Sequence, residues 1–295
     1  MSDLEVNEEN LAVLTKYIEK MPTFSPATSK IIQLANKLNA SPNEIVAAIR
    51  LDPVLTGRVL QLVNSAYFSL AQRVTSLNRA VVYLGINTIK NLALSTAVLQ
   101  TFENKNKELA EVVKPVWKHS LATAVCAKII AKTAGVPVNM LEEYFIAGLL
   151  HDIGKTILMQ AFFETQPHDG KLSAAEEKAR YSLDHSQLGA QTLKKWNFHE
   201  QITEAVAAHH APVERNKISY ILQLADAMTY RLALNGEKEE SEKQTRPLDP
   251  GLWKILGIEE ATVLKDLETA QEQIEKAEVF LNIASSKEKV TEKPE

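Results

Sequence analysis

Three helix starts are spelled out near the beginning of the chain. Ser25-Pro26, Ser41-Pro42 and Asp52-Pro53 each place a capping side chain directly before a proline. That pairing suits the first turn of a helix: the hydroxyl or carboxylate accepts from a free backbone N–H, and the proline occupies the position where its missing N–H costs nothing. Glu44, three residues after Ser41, completes a capping box. Apolar residues then recur at helical spacing, as Ile31, Leu34, Ala35 and Leu38, and again as Leu55, Val59, Leu62, Val63 and Ala66. A Ser76 cap precedes Leu77, Ala80, Val81 and Leu84, and Gly85 ends that segment. No segment alternates with period two between hairpin turns, so no sheet is expected. The fold class read from this pattern is all-α. An aromatic content of 6%, with only 10 glycines and 11 prolines in 295 residues, agrees.

Residues 1–20 read as an N-terminal helical extension and 21–105 as a first group of short helices. A charged break from Glu103 to Glu108 opens a second group, 106–235. Its expected helices are Leu109–Ala134, Asn139–Leu158, Ala174–Ser182, His185–Trp196, Glu200–His209 and Ile218–Leu232. A Glu- and Lys-rich loop over 236–250, a C-terminal helix over 251–284 and a disordered tail over 285–295 complete the expected layout.

A net charge of −4 offers no electrostatic footprint for nucleic acid. The single cysteine, Cys126, excludes an internal disulfide framework and suits a reducing cytosol. Met1 to Lys20 lacks a basic start followed by an apolar run, and no stretch approaches the roughly 20 apolar residues of a membrane span. The expectation is a soluble cytoplasmic protein that engages neither nucleic acid nor membrane.

Chemistry enters with His151-Asp152, an imidazole beside a carboxylate, which together serve a divalent cation well. His119 lies on the preceding long helix, His185 starts a later one, His209-His210 ends the next, and Asp226 follows on Ile218–Leu232. Each sits on a largely apolar helix, where an isolated ionisable group is costly without a partner. Helical bundles build metal sites in this way, with each helix contributing one or two inward ligands. Singly, each residue has a plainer reading: His119 as an ordinary polar residue at a helix surface, His209-His210 as a helix end, Asp226 as an acceptor for a neighbouring helix. Their joint order is harder to dismiss. His168-Asp169, beside Gly170, reads as solvated loop, and His199 as a turn or helix start. Cys126 shows no activating neighbour, and Trp117, Trp196 and Trp253 read as core anchors.

The order His, His-Asp, Asp resembles the HD superfamily of metal phosphohydrolases. The resemblance implies His119, His151, Asp152 and Asp226 as ligands, and adds His185, His209 and His210 by likeness to the HD-GYP branch. HDIGK, His151 to Lys155, is shared with that branch, where the lysine helps hold a phosphate. Two departures stand out: APVERNKIS follows His209-His210 with no GYP sequence, and Pro115 occupies the position where that branch supplies a carboxylate. LDPVLTGRVLQLVNSAYF, SLNRAVVYLGINTIKNLAL and HSQLGAQTLKKWNFHEQITEAVAAHHAP resemble the HDOD family over roughly Met21 to Leu232. Asn64-Ser65 is a hallmark of that likeness, and a packing or helix-end role is all the residues offer for it.

The resemblance implies a bacterial signalling domain, with an N-terminal helical subdomain packed on an HD-type bundle. It carries no family-wide catalysis. The expected cofactor is a divalent transition metal, single or dinuclear, of the Fe, Mn, Co or Zn kind. Expected partners are a signalling protein or a small phosphorylated ligand, with a homodimer as a further expectation. Without a recognisable receiver or diguanylate cyclase domain, input is expected from another molecule or from the terminal helices. The alternative is a metal-dependent phosphohydrolase, in which Lys155 and Asp152 serve catalysis and a metal-activated water attacks phosphorus.

Overall fold

A computed structural model describes residues 7–21, 24–37, 40–103, 106–211, 216–234, 248 and 250–285. These residues form helices and turns, with no strand among them, as the capping pattern requires. The first group comprises α1 Glu8–Lys20, α2 Pro26–Ala35, α3 Pro42–Arg50, α4 Pro53–Val63, α5 Leu77–Leu84 and α6 Ile86–Thr101. Ser25, Ser41, Asp52 and Ser76 each accept from a backbone N–H three residues on, and Ser41 with Glu44 closes the capping box. The second group comprises α7 Lys107–Thr133, α8 Leu141–Leu150, α9 Ile153–Ala161, α10 Ala174–Tyr181, α11 His185–Lys195, α12 Glu200–Ala207 and α13 Lys217–Arg231. One hydrophobic core runs through both groups, from Leu14 and Ile31 through Ile89 and Val125 to Leu224.

Two expectations are corrected. The single helix expected over Asn139–Leu158 breaks at His151-Asp152, where Asp152 leaves helical geometry at φ −98°, ψ 15° and becomes the N-cap of α9. The C-terminal helix expected over 251–284 is four short ones: α14 Gly251–Leu256, α15 Glu260–Leu267, α16 Ala270–Ala277 and α17 Val279–Ser285. Gly257 ends the first of them in the left-handed region, at φ 67°. The 236–250 loop, apart from Leu248 and Pro250, and residues 286–295 lie outside the described residues. Among the described residues, no single helix is long and apolar enough to cross a membrane.

Asn64 proves to be the C-cap of α4. Its amide donates to the carbonyls of Leu60 and Val74, at 2.7 and 2.8 Å, while its oxygen accepts from the Val74 N–H at 2.7 Å. One side chain thus closes the loop to Val74. Three residues on, Tyr67 reaches the second group. Its hydroxyl accepts from Lys128 Nζ on α7 at 3.2 Å, and the same ammonium meets Glu142 of α8 at 2.6 Å. Burial works against the Lys128 charge, but Tyr67 and Glu142 outweigh it and hold the ammonium above its ordinary range. The Tyr67 ring also packs edge-on against Phe280 of α17. Replacing Asn64 by alanine is expected to cost about 1–2 kcal/mol, since the paired backbone groups of Val74 lose their partner. Urea unfolding checks this, and an unchanged midpoint would count against the clamp.

Candidate metal centre

The break between α8 and α9 is what builds the site. Both flanking helices are buried, so the turn at His151-Asp152 points both side chains inward. Close approach then brings α11 alongside: a Cβ on Gly154 would lie 1.9 Å from the His185 carbonyl oxygen, so only glycine fits. α7 supplies His119, the residues after α12 supply His209 and His210, and α13 supplies Asp226. All seven residues predicted as ligands come together. His210 is half-buried and the other six are buried, His185 completely.

Asp152 stands in the middle. Its Oδ2 lies 3.4 Å from His151 Nε2, 3.7 Å from His119 Nε2 and 2.7 Å from Lys155 Nζ. Its Oδ1 lies 3.3 Å from His185 Nε2 and 3.9 Å from His209 Nε2. The carboxylate therefore joins two sets of donor atoms, each within 4.8 Å of one another: His119, His151 and Asp152, and His185, His209 and His210. Asp226 closes the first set, with Oδ1 3.0 Å from His119 Nε2 and 3.8 Å from His151 Nε2. The His119 ring is stacked on Tyr230, 4.5 Å between centroids.

Three imidazoles are oriented from behind. His151 Nδ1 lies 2.8 Å from the Gly148 carbonyl, His209 Nδ1 2.7 Å from the Val206 carbonyl, and His185 Nδ1 2.5 Å from Glu177 Oε2. Each contact assigns the proton to Nδ1 and leaves a lone pair on Nε2, as second-sphere partners do for metal ligands. Yet His185 Nε2 lies 3.3 Å from His209 Nε2 and 2.7 Å from His210 Nε2. The His185 and His209 lone pairs repel unless a cation lies between them, whereas His210 can bond to His185 by carrying its proton on Nε2. His151 Nε2, His119 Nδ1 and Asp152 Oδ1 are buried without a hydrogen-bond partner, a costly condition that a bound cation would relieve at Nε2 and Oδ1. The donor set fits a divalent transition metal.

Burial pushes the His151 imidazole below its ordinary value and His209 well below it. Burial would raise the Asp152 carboxyl, but His151, Lys155, His185 and His119 together hold it well below the usual range. Burial likewise opposes the Lys155 charge, and Asp152 keeps that ammonium protonated. The stability consequence has a definite sign. In metal-free protein, the unfolded state takes up protons near pH 6.5 that buried His151 and His209 refuse. Stability present above that pH is therefore lost as pH falls below it, by up to about 1.4 kcal/mol per pH unit for each proton involved. Urea midpoints of chelator-treated protein between pH 8 and 5 read this directly. A flat profile would contradict it.

Glu177 was not foreseen. It is completely buried on α10, and its Oε2 accepts from both the backbone N–H (2.8 Å) and Nδ1 of His185. Its neighbour Glu176 caps the same helix from the surface, so local pattern cannot tell which of the pair turns inward. His168, expected to be solvated, is half-buried: Gly170 folds the loop back, donating to His168 Nδ1 at 3.2 Å, and the ring lies 5.7 Å from that of Tyr181. His199 is the N-cap of α12, and Cys126 is buried with its thiol pushed up to about 12 by burial. A cavity of about 290 Å3, lined by His209, His210, Gln223 and Asp226 among others, reaches the site. The larger groove, about 1160 Å3 between α4 and α16–α17, contains none of these residues.

An all-α domain with histidines and aspartates from five helical segments converging on a buried pocket is thus defined. The HDOD domain family model matches residues 21–212, and the chain belongs to that family. A candidate signal transduction protein from Marinobacter aquaeolei VT8 superposes with a TM-score of 0.70 at 19% identity, covering 96% of this chain and 68% of that one. A candidate phosphohydrolase from Shewanella amazonensis SB2B gives 0.64 at 19% identity, covering 94% and 100%. An uncharacterised Treponema pallidum protein is 25% identical over 252 residues, 80% of this chain and 47% of that protein. Ribonuclease Y of Clostridium perfringens is 30% identical over 115 residues, 39% of this chain and 18% of that enzyme. The chain spans less than half the length of these curated relatives.

Proposed function

We propose that the protein is a signal-transduction module whose buried His/Asp pocket holds a divalent transition metal, as one ion or two. The observation that carries this reading is the convergence of imidazole Nε2 atoms on Asp152, with Nδ1 of three rings engaged from behind. Nitrogen-rich coordination with carboxylate favours Fe, Mn, Co or Zn over Mg or Ca. His119, His151, Asp152, Asp226, His185, His209 and His210 would hold the metal, which would supply a concentrated positive charge to an anionic ligand. Lys155 is committed to Asp152 at 2.7 Å, which supports a sensing or scaffolding role over turnover. The partner of this reading is another signalling protein or a small phosphorylated ligand.

One observation favours a second reading, a metal-dependent phosphohydrolase. The cavity that touches His209, His210 and Asp226 has about 290 Å3 of space, close to the lower end of small-ligand sites. The Shewanella neighbour's description supports the same chemistry. Protein loaded with Mn or Fe, assayed against a panel of nucleotides, phosphoesters and an RNA oligonucleotide, separates the two. Retained metal without turnover supports the signalling module. Turnover that disappears in Asp152→Ala installs the phosphohydrolase, and cleavage of the RNA would also overturn the expectation drawn from net charge.

A further inference from the structure

We propose that Asn10, on the N-terminal helix, is a positioning residue for the metal pocket, acting through α10 on Glu177 and hence on His185. The proposal rests on the metal-site reading above, although its first readout does not require a metal. α1 lies outside residues 21–212, which the family model matches. It nevertheless reaches each of three successive helices around the site. Tyr17 donates to Gln160 Oε1 on α9, the helix that carries Lys155, at 2.6 Å. Lys195, at the end of the helix that His185 begins, donates to the Ile18 carbonyl.

The tightest attachment is to α10. Asn10 is 5% exposed and uses both ends of its amide. Nδ2 donates to the Arg180 carbonyl at 2.8 Å, and Oδ1 accepts from Gln166 Nε2 at 3.0 Å. Arg180 Nε in turn donates to Gln166 Oε1 at 3.1 Å, closing a ring of amide and guanidinium contacts. The Asn7 backbone N–H adds a bond to Ser182 Oγ at 2.8 Å.

α10 has eight residues, too few to hold its own geometry, so its register is set by what it docks against. The stack of Tyr181 on Phe162, 4.5 Å between centroids, gives depth of burial. It has none of the directionality of a hydrogen bond. Asn10 supplies the directional contact at the Arg180 end, and Glu177, one turn earlier, carries the result to His185 through its two bonds. A disturbance that lifts α1 would therefore rotate or free Glu177 and loosen one ligand of the pocket. The terminal helix thus becomes a point where input can enter.

The test uses the full-length chain with Asn10→Ala, and Gln166→Ala, which removes only the donor to Asn10 Oδ1 and keeps the bond to the Arg180 carbonyl, as a milder variant should alanine release α1 altogether. In metal-free protein, NMR of the His185 Nδ1–H proton reports the Glu177 bond. Its resonance is expected to shift upfield and broaden in Asn10→Ala and to move less in Gln166→Ala, where the bond to the Arg180 carbonyl remains. Titration with Mn or Zn is expected to show affinity about 3- to 10-fold weaker for Asn10→Ala, below the loss of about 10- to 100-fold expected for Glu177→Gln. Lys16→Ala, at an exposed α1 position, should leave both readouts unchanged. A His185 resonance that ignores Asn10 overturns the proposal whatever the metal does. A shifted resonance in a protein that binds no metal would retain the linkage while refuting the metal reading.

Discussion

Asp152→Ala is expected to empty the pocket of metal and to destabilise even the metal-free fold by about 3 kcal/mol or more. Both consequences follow from the position of one carboxylate. Oδ1 faces the His185 and His209 side and Oδ2 the His119 and His151 side, so its loss separates the two donor sets. It also leaves Lys155, whose side chain is 9% exposed, with its ammonium deprived of its partner. Removing one member of a buried pair costs several kcal/mol because the remaining charge is stranded. Asp152→Asn keeps the volume and loses the charge, and should fall between wild type and alanine in stability while still failing to hold metal. Urea unfolding of chelator-treated protein isolates the stability effect, and equilibrium dialysis reads the metal. Unchanged stability in Asp152→Ala would show that Lys155 finds another partner at no cost.

Gly154→Ala is the second large effect. Alanine is the better helix former by about 1 kcal/mol, so propensity alone predicts stabilisation. Sterics predict the reverse, because the new methyl would sit 1.9 Å from the His185 carbonyl oxygen and 2.6 Å from its carbon. Those are backbone atoms, which yield only if α9 and α11 move apart. The expected cost is about 3 kcal/mol, at the upper end of overpacking penalties. Since the displaced residue is itself a candidate ligand, metal affinity should fall with it. Gly57→Ala on α4 is the matched control: nothing lies within 4 Å of its added carbon. That variant should be neutral or stabilised by up to about 1 kcal/mol. Equal midpoints for the two alanine variants would refute the close approach.

Much of the fold was legible because its helix starts are local signals. A serine or aspartate before a proline needs no tertiary context, and the three such caps hold as written, as does Ser76 before Leu77. The seven candidate ligands were legible for a different reason. Ionisable residues on largely apolar helices need partners, and the likeness to the HD superfamily singled out these seven among them. What escaped depended on tertiary direction. The break at His151-Asp152 is invisible to periodicity because α8 and α9 are buried on nearly every side, leaving no polar face whose phase could shift. Glu177 looked like its neighbour Glu176 until α10 docked and turned one inward and the other outward. The C-terminal segment kept helical composition throughout, and Gly257 alone gave little warning of its division into four helices. His168 is half-buried rather than solvated because the backbone at Gly170, in the left-handed region at φ 78°, returns the loop to the body of the protein.

Elemental analysis of the purified full-length protein, beside His151→Ala and Asp152→Ala prepared in parallel, addresses the metal pocket most directly. The account predicts a transition metal of the Fe, Mn, Co or Zn group retained by wild type at about one or two equivalents and reduced to background in both variants. Wild-type protein that carries no such metal and takes none up on dialysis against Mn or Zn would contradict it, and the clustered histidines would then require another explanation.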